Sequence, residues 1–413
     1  MDPRLFLHSL FDAALAAADP LIQTARFLPQ LPEGRVVVVG AGKAAAKMAR
    51  AIELAWPEAD LSGLVITRYG HHFPCEKIEV IEAAHPVPDQ AGQLAAKRII
   101  EAVSGLTERD LVVVLISGGG SSLLSLPAPL VSLADKRNIN AALLKSGAAI
   151  GDMNCVRKHL SAIKGGRLGL AIFPAQCLTL LVSDVPGDFP DIIASGPTFG
   201  EAKQPTDALG ILQDYGIVVP PNVLRHLHSN DAICPSPDDP RFAHARWHMI
   251  ATPLMALEAA ANTARQQGVT PIILGDNLEG PADRLGREHA LLAQEYKGRG
   301  PVVFLSGGET VVRVTGNGRG GRNVEYLLSL CHHLDASNVF ALAADSDGID
   351  GMEDVAGAFI APDTKQRAAL LGMKTSDYLQ RNDAHSFFER LRDQIITGPT
   401  LTNVNDFRAI LIV

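Results

Sequence analysis

The chain has 413 residues and a formal net charge of −8 at pH 7, and 47% of its residues are hydrophobic. This length allows roughly two or three globular domains with substantial cores. The acidic balance argues against nucleic-acid partners, because domains that bind nucleic acid carry a basic excess. We therefore expect a globular protein whose partners are small molecules.

The N-terminal stretch, residues 1–20, predicts an amphipathic helix with Asp2 as N-cap and Pro3 at the first helical position. It lacks the basic leader, apolar block and cleavage site of a signal peptide. No apolar run approaches the roughly 20 residues that a membrane helix needs. The five cysteines are scattered without a CxxC pair, which favours reduced thiols and no zinc site. We expect a cytoplasmic protein without a membrane segment.

Apolar runs alternate with helical patterns through the first half of the chain, which predicts a mostly parallel sheet covered on both faces. The predicted strands are residues 35–39, 64–67, 78–83, 111–116 and 178–182. The predicted helices are residues 40–56, residues 89–103 capped by Asp89, and a helix that begins after the cap Ser132.

Glycine-rich loops follow three of the predicted strands. Their sequences are GAGK, SGGGSS and SGGET, at residues 40–43, 117–122 and 306–310. Glycines allow a tight turn and a close approach of the backbone to a ligand, and a helix that starts in such a loop, as expected near Ser121, favours bound anions. A flexible turn is the alternative for any one loop, but the repetition favours phosphate binding.

The stretch SNDAICPSPDDP, residues 229–240, predicts a boundary between domains 1–235 and 236–413. A second series follows, with strands at residues 248–251, 271–274, 301–305 and 339–344, helices at 253–267 and 281–296, and a final strand. Ligands of open α/β sheets bind at the carboxyl ends of strands. Because the polar loops follow strands, we expect them to converge on one cleft.

The loop GAGK resembles a dinucleotide fingerprint only in part. Ala45 stands where a third glycine is usual, and Thr67–Tyr69 after the next strand contains no acidic residue to bind a ribose. A nicotinamide site is therefore not favoured. Lys43 is placed where a helix start already attracts anions, and we interpret it as functional rather than as a solvated lysine.

The segment GRGGR carries Arg319 and Arg322 within one short loop. Two guanidinium groups so close repel each other, so we expect a multiply charged anion to neutralise them. A basic patch at residues 154–170, chiefly Arg157 and Lys164, is a second candidate for anion binding. His85 and His159 have no partner at metal-ligand spacing and are interpreted as structural.

Several aspartates follow strands, where a carboxylate can hold Mg²⁺ or accept a hydroxyl proton. Each of them could equally be a turn or cap residue. The candidates are Asp184, Asp188, Asp345 and Asp347. Asp350 and Asp354 are interpreted as turn and cap residues.

The chain resembles the glycerate 2-kinases, a group also named hydroxypyruvate reductases of tartrate utilisation, with a C-terminal MOFRL domain. The resemblance covers nearly the whole chain. Its segments are GAGKAAAKMA, HPVPDQAG, SGGGSSLL, VRKHLSAIKGGRL, SDVPGD, ASGPT, SGGET, GRGGRN, DSDGIDG and TGPTLTNVND. The chain departs from the family pattern at Gly169, at Val324 and at Leu401, which replaces a usual glycine.

The resemblance implies ATP-dependent phosphorylation of D-glycerate at its 2-hydroxyl, with Mg²⁺, giving 2-phosphoglycerate and ADP. It implies an α/β fold of two dissimilar α/β/α domains, the first a Rossmann-like, mostly parallel sheet, with the site in a cleft between them. It also implies that Lys43 and an arginine of GRGGR are catalytic. Arg322 is the better match, and Arg319 is kept beside it.

Phosphoryl transfer depends mainly on positioning and charge neutralisation, which suggests a role for each candidate. Lys43 and Arg322 would stabilise the migrating phosphoryl group, with Asp184 as a third catalytic residue that orients the hydroxyl. The serine and glycine loop would hold either ATP phosphates or the acceptor. The residues assigned to substrate or phosphate binding are Ser117, Gly118, Gly119, Gly120, Ser121, Ser122, Arg157, Lys164, Asp188, Gly307, Gly308, Glu309, Arg319 and Asn323. Arg322→Ala is expected to lower turnover on the order of 10³-fold with folding intact.

Two other functions remain open at this point. One is an NAD(P)H-dependent hydroxypyruvate reductase, for which Arg68 is the only supporting residue. The other is an anion-binding protein without catalysis, which leaves the acidic loops unexplained. We expect ATP and D-glycerate as partners, with no nucleic acid and no membrane, and leave a homodimer open.

Overall fold

Two six-stranded sheets of different topology organise the chain. The computed structural model describes residues 1–296, 298 and 300–413. The chain divides into residues 20–250, here called the parallel-sheet unit, and residues 1–19 with 251–413, here called the mixed-sheet unit. The first helix, α1 (Pro3–Ala17), belongs to the mixed-sheet unit.

The parallel-sheet unit is built on the expected parallel sheet. Its strands are β1 (Val36–Ala41), β2 (Leu61–Arg68), β3 (Glu79–Ala83), β4 (Leu111–Ile116), β5 (Gln176–Val182) and β6 (Ala245–Ala251). The spatial order is β3-β2-β1-β4-β5-β6, with parallel pairing from β3 through β5. This is the order of dinucleotide-binding α/β folds. Every residue of β1 and β4 is buried, as expected for central strands covered on both faces.

The helices of this unit are α2 (Pro20–Arg26), α3 (Ala45–Ala55), α4 (Gln90–Ala102), α5 (Gly120–Leu123), α6 (Leu133–Ser146), α7 (Ile150–His159), α8 (Arg167–Ile172), α9 (Pro205–Asp214) and α10 (Pro221–Leu227). Sequence-predicted caps are confirmed at two of them. Asp89 accepts a hydrogen bond from the N–H of Gly92, and Ser132 forms a capping box with Asp135. These caps satisfy N–H groups that the first helical turn leaves unpaired.

The mixed-sheet unit has a largely antiparallel sheet in the order β13-β12-β11-β14-β9-β7. Its strands are β7 (Thr270–Gly275), β8 (Gly280–Pro281), β9 (Val302–Ser306), β10 (Thr310–Val311), β11 (Val339–Asp345), β12 (Gly357–Ile360), β13 (Gln394–Ile395) and β14 (Asp406–Ile412). Its further helices are α11 (Pro253–Gln266), α12 (Ala282–Glu295), α13 (Arg322–His333), α14 (Thr364–Leu370), α15 (Thr375–Gln380) and α16 (Ala384–Leu391). The strands β8 and β10 form a separate two-stranded pair.

The topology of the mixed sheet determines which loops lie at one edge. Strands β9 and β11 both pair antiparallel with β14, and β7 pairs parallel with β9. The carboxyl ends of β7, β9 and β11 therefore share an edge with the beginning of β14, at Asp406. The loops that follow β7, β9 and β11 therefore lie at one edge, as the sequence predicted. The start of β14 lies at the same edge because β14 runs antiparallel to β9 and β11.

The division of the chain differs from the expected boundary at residue 235. Strand β6 completes the parallel sheet beside β5, so residues 245–250 belong to the first unit and not to the second series of strands. At the other end, α1 packs against α11, β11 and β14. The ring centroids of Phe11 and Phe407 are 5.5 Å apart, and Thr402 donates a hydrogen bond to the carbonyl of Ala18.

The stretch Pro3–Arg26 corrects the expectation that no segment approaches membrane-spanning length. By length and composition it is apolar enough to cross a bilayer, with a mean hydropathy of 1.4. The N-cap predicted at Asp2 is confirmed, because its carboxylate accepts from the N–H of Arg4. One apolar face of α1 is buried, formed by Phe6, Leu7, Leu10, Phe11 and Ala14, whereas Leu5 is exposed. Core helices of soluble proteins pass the same test, so the stretch is only a weak indication of a membrane segment.

Leu401 adopts a backbone conformation that explains why glycine is usual at this position. Its φ is +60°, in the left-handed region that costs a residue with a Cβ about 1–2 kcal/mol. We expect Leu401→Gly to be about 1 kcal/mol more stable than Leu401→Ala, because alanine keeps the Cβ and glycine does not. Urea denaturation of the two variants measures the difference. Equal stabilities would show that the +60° conformation is not strained.

Candidate active site

The SGGGSS loop leaves β4 and turns directly into a one-turn helix. The N–H of Gly120 donates to the carbonyl of Ser117, and α5 begins at Gly120, one residue before the expected start. Gly119, with φ +81°, precedes it. Since α5 spans only Gly120–Leu123, its helix dipole is small. An anion at this loop would therefore depend mainly on the N–H and hydroxyl groups of the loop itself.

The loop GAGK is hydrogen-bonded to the SGGGSS loop. The N–H of Lys43 donates to the carbonyl of Gly118 at 2.9 Å, and the N–H of Ala44 to Ser117 Oγ at 3.0 Å. A Cβ on Gly42 would lie 2.0 Å from Ser117 Oγ, so only glycine permits this approach. Helix α3 begins at Ala45, which corrects the predicted start at residue 40. Lys43 lies in the turn before the helix, beside the SGGGSS loop.

Lys164 joins the SGGGSS loop to the loop of the ASGPT motif. Its Nζ donates to the carbonyl of Ser121 at 2.7 Å and to that of Ala194 at 3.2 Å. Ser195 Oγ lies 3.0 Å from Ser121 Oγ and donates to Asn154 Oδ1. Ala194 and Ser195 have φ values of +51° and +61°. Strained backbone of this kind persists where the surroundings enforce it, often at functional sites.

A cavity of about 230 Å³ opens beside these loops within the parallel-sheet unit. It is lined by His85, Pro86, Pro88, Gly119, Ser121, Ser122, Ser125, Lys136, Arg137, Ile139, Asn140, Leu143, Val156, Arg157, Leu160 and Lys164. Four of these residues are lysine or arginine, and none is aspartate or glutamate. The predicted residues Arg157 and Lys164 are therefore brought together with three residues of the SGGGSS loop, in a setting suited to an anion.

Lys136 is a cavity residue that the sequence analysis missed. Its Nζ is buried and makes no hydrogen bond with any described residue. Burial, with the nearby charges of Arg157 and Arg167, lowers the pKa of Lys136 to about 7. Helical spacing could have indicated that Lys136 faces inward, because it precedes the buried Ile139 and Leu143 by three and seven residues on α6.

The rest of the basic patch is structural. Lys158 pairs with Glu201 at 2.9 Å, and Arg167 donates to the carbonyls of Asp231, Ala232 and Ile233. His159 lies 2.8 Å from the carbonyl of Ala232, in agreement with its predicted structural role.

Arg322 is held by carboxylates of its own unit. Its Nε donates to Asp406 at 2.7 Å, a second nitrogen donates to Asp345 at 2.7 Å, and the third lies 3.2 Å from Glu309. Burial disfavours the charge, but these carboxylates outweigh burial and raise the pKa of Arg322. Asp406 was missed because it begins a strand, whereas the sequence search considered residues after strands.

Arg319 is directed to a different set of carboxylates. Glu353 accepts two hydrogen bonds from it, at 3.0 and 2.6 Å. The premise that Arg319 and Arg322 need an external anion is therefore wrong, because carboxylates of the chain neutralise each of them. Arg319 is exposed and Arg322 is largely buried, which leaves Arg322 as the more constrained of the two.

The N-terminus of α13 is already capped. Asp350 accepts from the N–H groups of Asn323 and Val324 at 3.0 and 2.9 Å, so it satisfies donors of a helix that precedes it in the sequence, a contact that its interpretation as a turn or cap residue did not include. The side chain of Asn323 donates to Asp406 at 2.7 Å. Burial raises the pKa of Asp350 to about 6, although the two N–H groups oppose this. A phosphate would therefore not find free N–H groups at Asn323 and Val324.

The SGGET loop packs against the loop that follows β7. The N–H of Gly307 donates to the carbonyl of Gly275, and a Cβ on Gly308 would lie 2.2 Å from the nitrogen of Leu278. Arg408 is buried and donates to the carbonyl of Gly307. These glycines thus have a packing role, and Glu309 is the residue of the loop that reaches Arg322.

The metal candidates stay predictions. Asp345 is bonded to Arg322, and Asp188 occupies a turn with φ +52°. Within residues 1–296, 298 and 300–413, no group of three or more histidine, cysteine, aspartate or glutamate residues is arranged to hold a metal ion. Mg²⁺ usually keeps several waters and binds one or two carboxylates together with substrate phosphates, so single aspartates remain compatible with a metal carried by a nucleotide.

Comparisons with known proteins cover both units. Residues 6–228 match the family model described as a domain of unknown function, DUF4147, and residues 302–406 match the MOFRL family. A D-glycerate 2-kinase of Thermotoga maritima is 39% identical, over 94% of this chain and 93% of that protein. This chain belongs to the glycerate 2-kinase family.

Other members of the glycerate 2-kinase family support the assignment. The crystal structure of glycerate kinase from Thermotoga maritima superposes with a TM-score of 0.89 at 37% identity and covers 98% of each chain. A protein of Agrobacterium vitis is 50% identical to this chain, over 99% of this chain and 94% of its own length. It is named a putative hydroxypyruvate reductase. The α/β fold with a Rossmann-like first sheet is confirmed.

Glu325 helps to hold the glycine-rich loop before α13. Asn382 Nδ2 donates to Glu325 at 3.1 Å, and Asn382 Oδ1 accepts from the N–H groups of Thr315 and Gly316. Burial raises the pKa of Glu325 to about 7, with smaller contributions from Asp283 and Asp350. The folded state therefore keeps a proton that the unfolded chain releases near pH 4.5.

The raised pKa of Glu325 predicts that Glu325→Gln changes the free energy of unfolding by an amount that depends on pH. Between pH 4.5 and 7 the folded wild type binds more protons than the unfolded chain, so its stability falls as pH rises, and glutamine removes this loss. The variant should gain about 3 kcal/mol relative to wild type between pH 4.5 and pH 8. Urea denaturation at several pH values measures it, with the exposed Glu295→Gln as control. A difference that does not change with pH would contradict the raised pKa.

Proposed function

We propose that the chain transfers the γ-phosphoryl group of ATP to the 2-hydroxyl of D-glycerate. The observation that carries this proposal is the cavity beside the SGGGSS loop, whose described lining has four lysine and arginine side chains and no carboxylate. A small acid with hydroxyl groups suits such a lining. The similarity to a D-glycerate 2-kinase over 94% of this chain supports the same function.

The proposed chemistry depends on placing charge around the transferred group. The glycerate hydroxyl attacks the γ-phosphorus, its proton passes to a carboxylate or to water, and ADP departs with the electron pair of the broken bond. Positive groups that are already in place lower the barrier without reorganising. We assign this role to Lys43, in the turn bonded to the SGGGSS loop, and to Arg322, whose carboxylate partners hold its guanidinium group in one orientation.

Asp184 and Asp188 are proposed to orient the hydroxyl that reacts. Both follow β5, which pairs with β4, the strand that leads into the SGGGSS loop. Mg²⁺ would neutralise charge on the ATP phosphates, with single carboxylates among Asp184, Asp188, Asp345 and Asp347 as its protein ligands. We further propose a cytoplasmic location and leave a homodimer open.

The first test measures ADP formation from ATP and Mg²⁺ with a coupled assay. We expect ADP to form with D-glycerate and not without it. Oxidation of NADH or NADPH by hydroxypyruvate, measured on the same preparation, should be absent. Reductase activity without ADP formation would replace the kinase proposal by the alternative that the Agrobacterium vitis relative suggests.

Lys43→Ala should lower kcat by about 10²- to 10³-fold, the loss typical of removing one group that stabilises a transition state. Lys47→Ala, one turn further along α3, is the matched control. Circular dichroism and thermal unfolding show whether each variant keeps its fold. A kcat within a few-fold of wild type for Lys43→Ala would exclude Lys43 from the mechanism.

Arg322→Ala would change both catalysis and stability, whereas the sequence suggested that folding would stay intact. The substitution would remove the guanidinium group that the buried Asp345 and Asp406 contact, and breaking such a buried pair typically costs about 3–5 kcal/mol. Arg322→Lys keeps the charge but loses the planar fork. We expect it to lower kcat by about 10²- to 10³-fold while the mixed-sheet unit stays folded. A folded variant with nearly unchanged kcat would argue against Arg322.

A further inference from the structure

The cavity beside the SGGGSS loop has the size of a small acid. Its volume of about 230 Å³ lies below the roughly 300–1,000 Å³ typical of sites for larger organic ligands. A three-carbon hydroxy acid fits such a space, whereas a complete nucleotide would extend beyond it. Ile139, Leu143, Val156 and Leu160 supply an apolar wall, which suits the carbon skeleton of the acid.

The cations of the cavity differ in whether they already have partners. Lys164 donates to two carbonyl groups, and Arg157 donates to Asn140 at 2.8 Å. The side chain of Arg137 donates to the carbonyl of Pro88. Lys136 alone among these four makes no hydrogen bond with any described residue. A buried ammonium group without an acceptor is costly, and a bound anion would supply the acceptor that Lys136 lacks.

The lining restricts which ligand can supply that acceptor. One unpartnered ammonium group calls for one small anionic group, and the described lining offers no carboxylate to compete with it. Serine hydroxyls of Ser121, Ser122 and Ser125 line the same space and can bond to hydroxyl groups. This combination matches a monocarboxylate that carries hydroxyls better than it matches a polyphosphate.

We propose that Lys136 binds the carboxylate of the acceptor and so selects hydroxy acids over neutral polyols. The proposal rests on the proposed function, and it assigns this cavity to the acceptor and not to the nucleotide. Arg157 and Lys164 then shape the positive surroundings, while Lys136 makes the direct contact with the carboxylate.

The test compares Lys136→Met, which keeps an unbranched side chain of nearly the same length but not the charge, with Lys136→Arg. In Lys136→Met we expect KM for D-glycerate to rise about 10- to 100-fold, the range for loss of a hydrogen bond to a charged group, with KM for ATP unchanged. The preference for D-glycerate over glycerol should fall by the same factor, and Lys136→Arg should restore part of it. Lys145→Met, at an exposed position of α6, is the matched control.

Thermal unfolding separates a binding role from a structural one. Without ligand, Lys136→Met should be at least as stable as wild type, because it replaces a buried, unpartnered charge by an apolar group. D-Glycerate should raise the melting temperature of wild type and of Lys145→Met but not of Lys136→Met. A large loss of stability in ligand-free Lys136→Met, or an unchanged KM for D-glycerate, would overturn the proposal.

Two further outcomes separate failure of this inference from failure of the kinase assignment. A rise in KM for ATP alone would assign the cavity to the nucleotide and overturn the role of Lys136. If wild type forms no ADP, the proposed function fails, but the melting-temperature shift with D-glycerate still reports on the carboxylate site. Absence of that shift in wild type would overturn this inference as well.

Discussion

Buried positive charge must be matched by an acceptor, and the two units meet this constraint differently. In the mixed-sheet unit, the charges of Arg322 and Arg408 are paired within the chain by Asp345 and Asp406, and Arg408 also donates to the carbonyl of Gly307. In the parallel-sheet unit, Lys136 has no acceptor among the described residues. Since an uncompensated buried charge is expensive, the carboxylates hold Arg322 in one orientation, and the proposed acceptor for Lys136 is a bound anion.

Close contacts between loops position the groups around that place. The N–H groups of Lys43 and Ala44 donate to the SGGGSS loop, and Lys164 connects the same loop to Ala194. Each contact requires a small residue or an unusual backbone conformation nearby, such as Gly42 or the positive φ of Ala194. The glycines of these motifs therefore serve the packing of loop on loop as much as the approach of a ligand.

Arginine residues close in sequence need not act together. Arg319 and Arg322 are three positions apart, yet Glu353 holds the first and Asp345 with Asp406 holds the second. Their mutual repulsion, estimated from sequence, is offset by carboxylates that the chain brings from distant positions. A charged motif thus indicates that counter-charge is present without showing whether a ligand or the protein supplies it.

The sequence by itself determined the features that depend on local chemistry. The apolar runs of β1 and β4, the caps Asp2, Asp89 and Ser132 and the glycines after strands follow from neighbouring residues. The motifs also placed the chain in its family. Only the tertiary structure decided that α1 joins the mixed-sheet unit, that Asp406 reaches Arg322, and that Lys136 lies buried in a cavity. These depend on partners from distant parts of the chain, and no local pattern encodes which distant groups will meet.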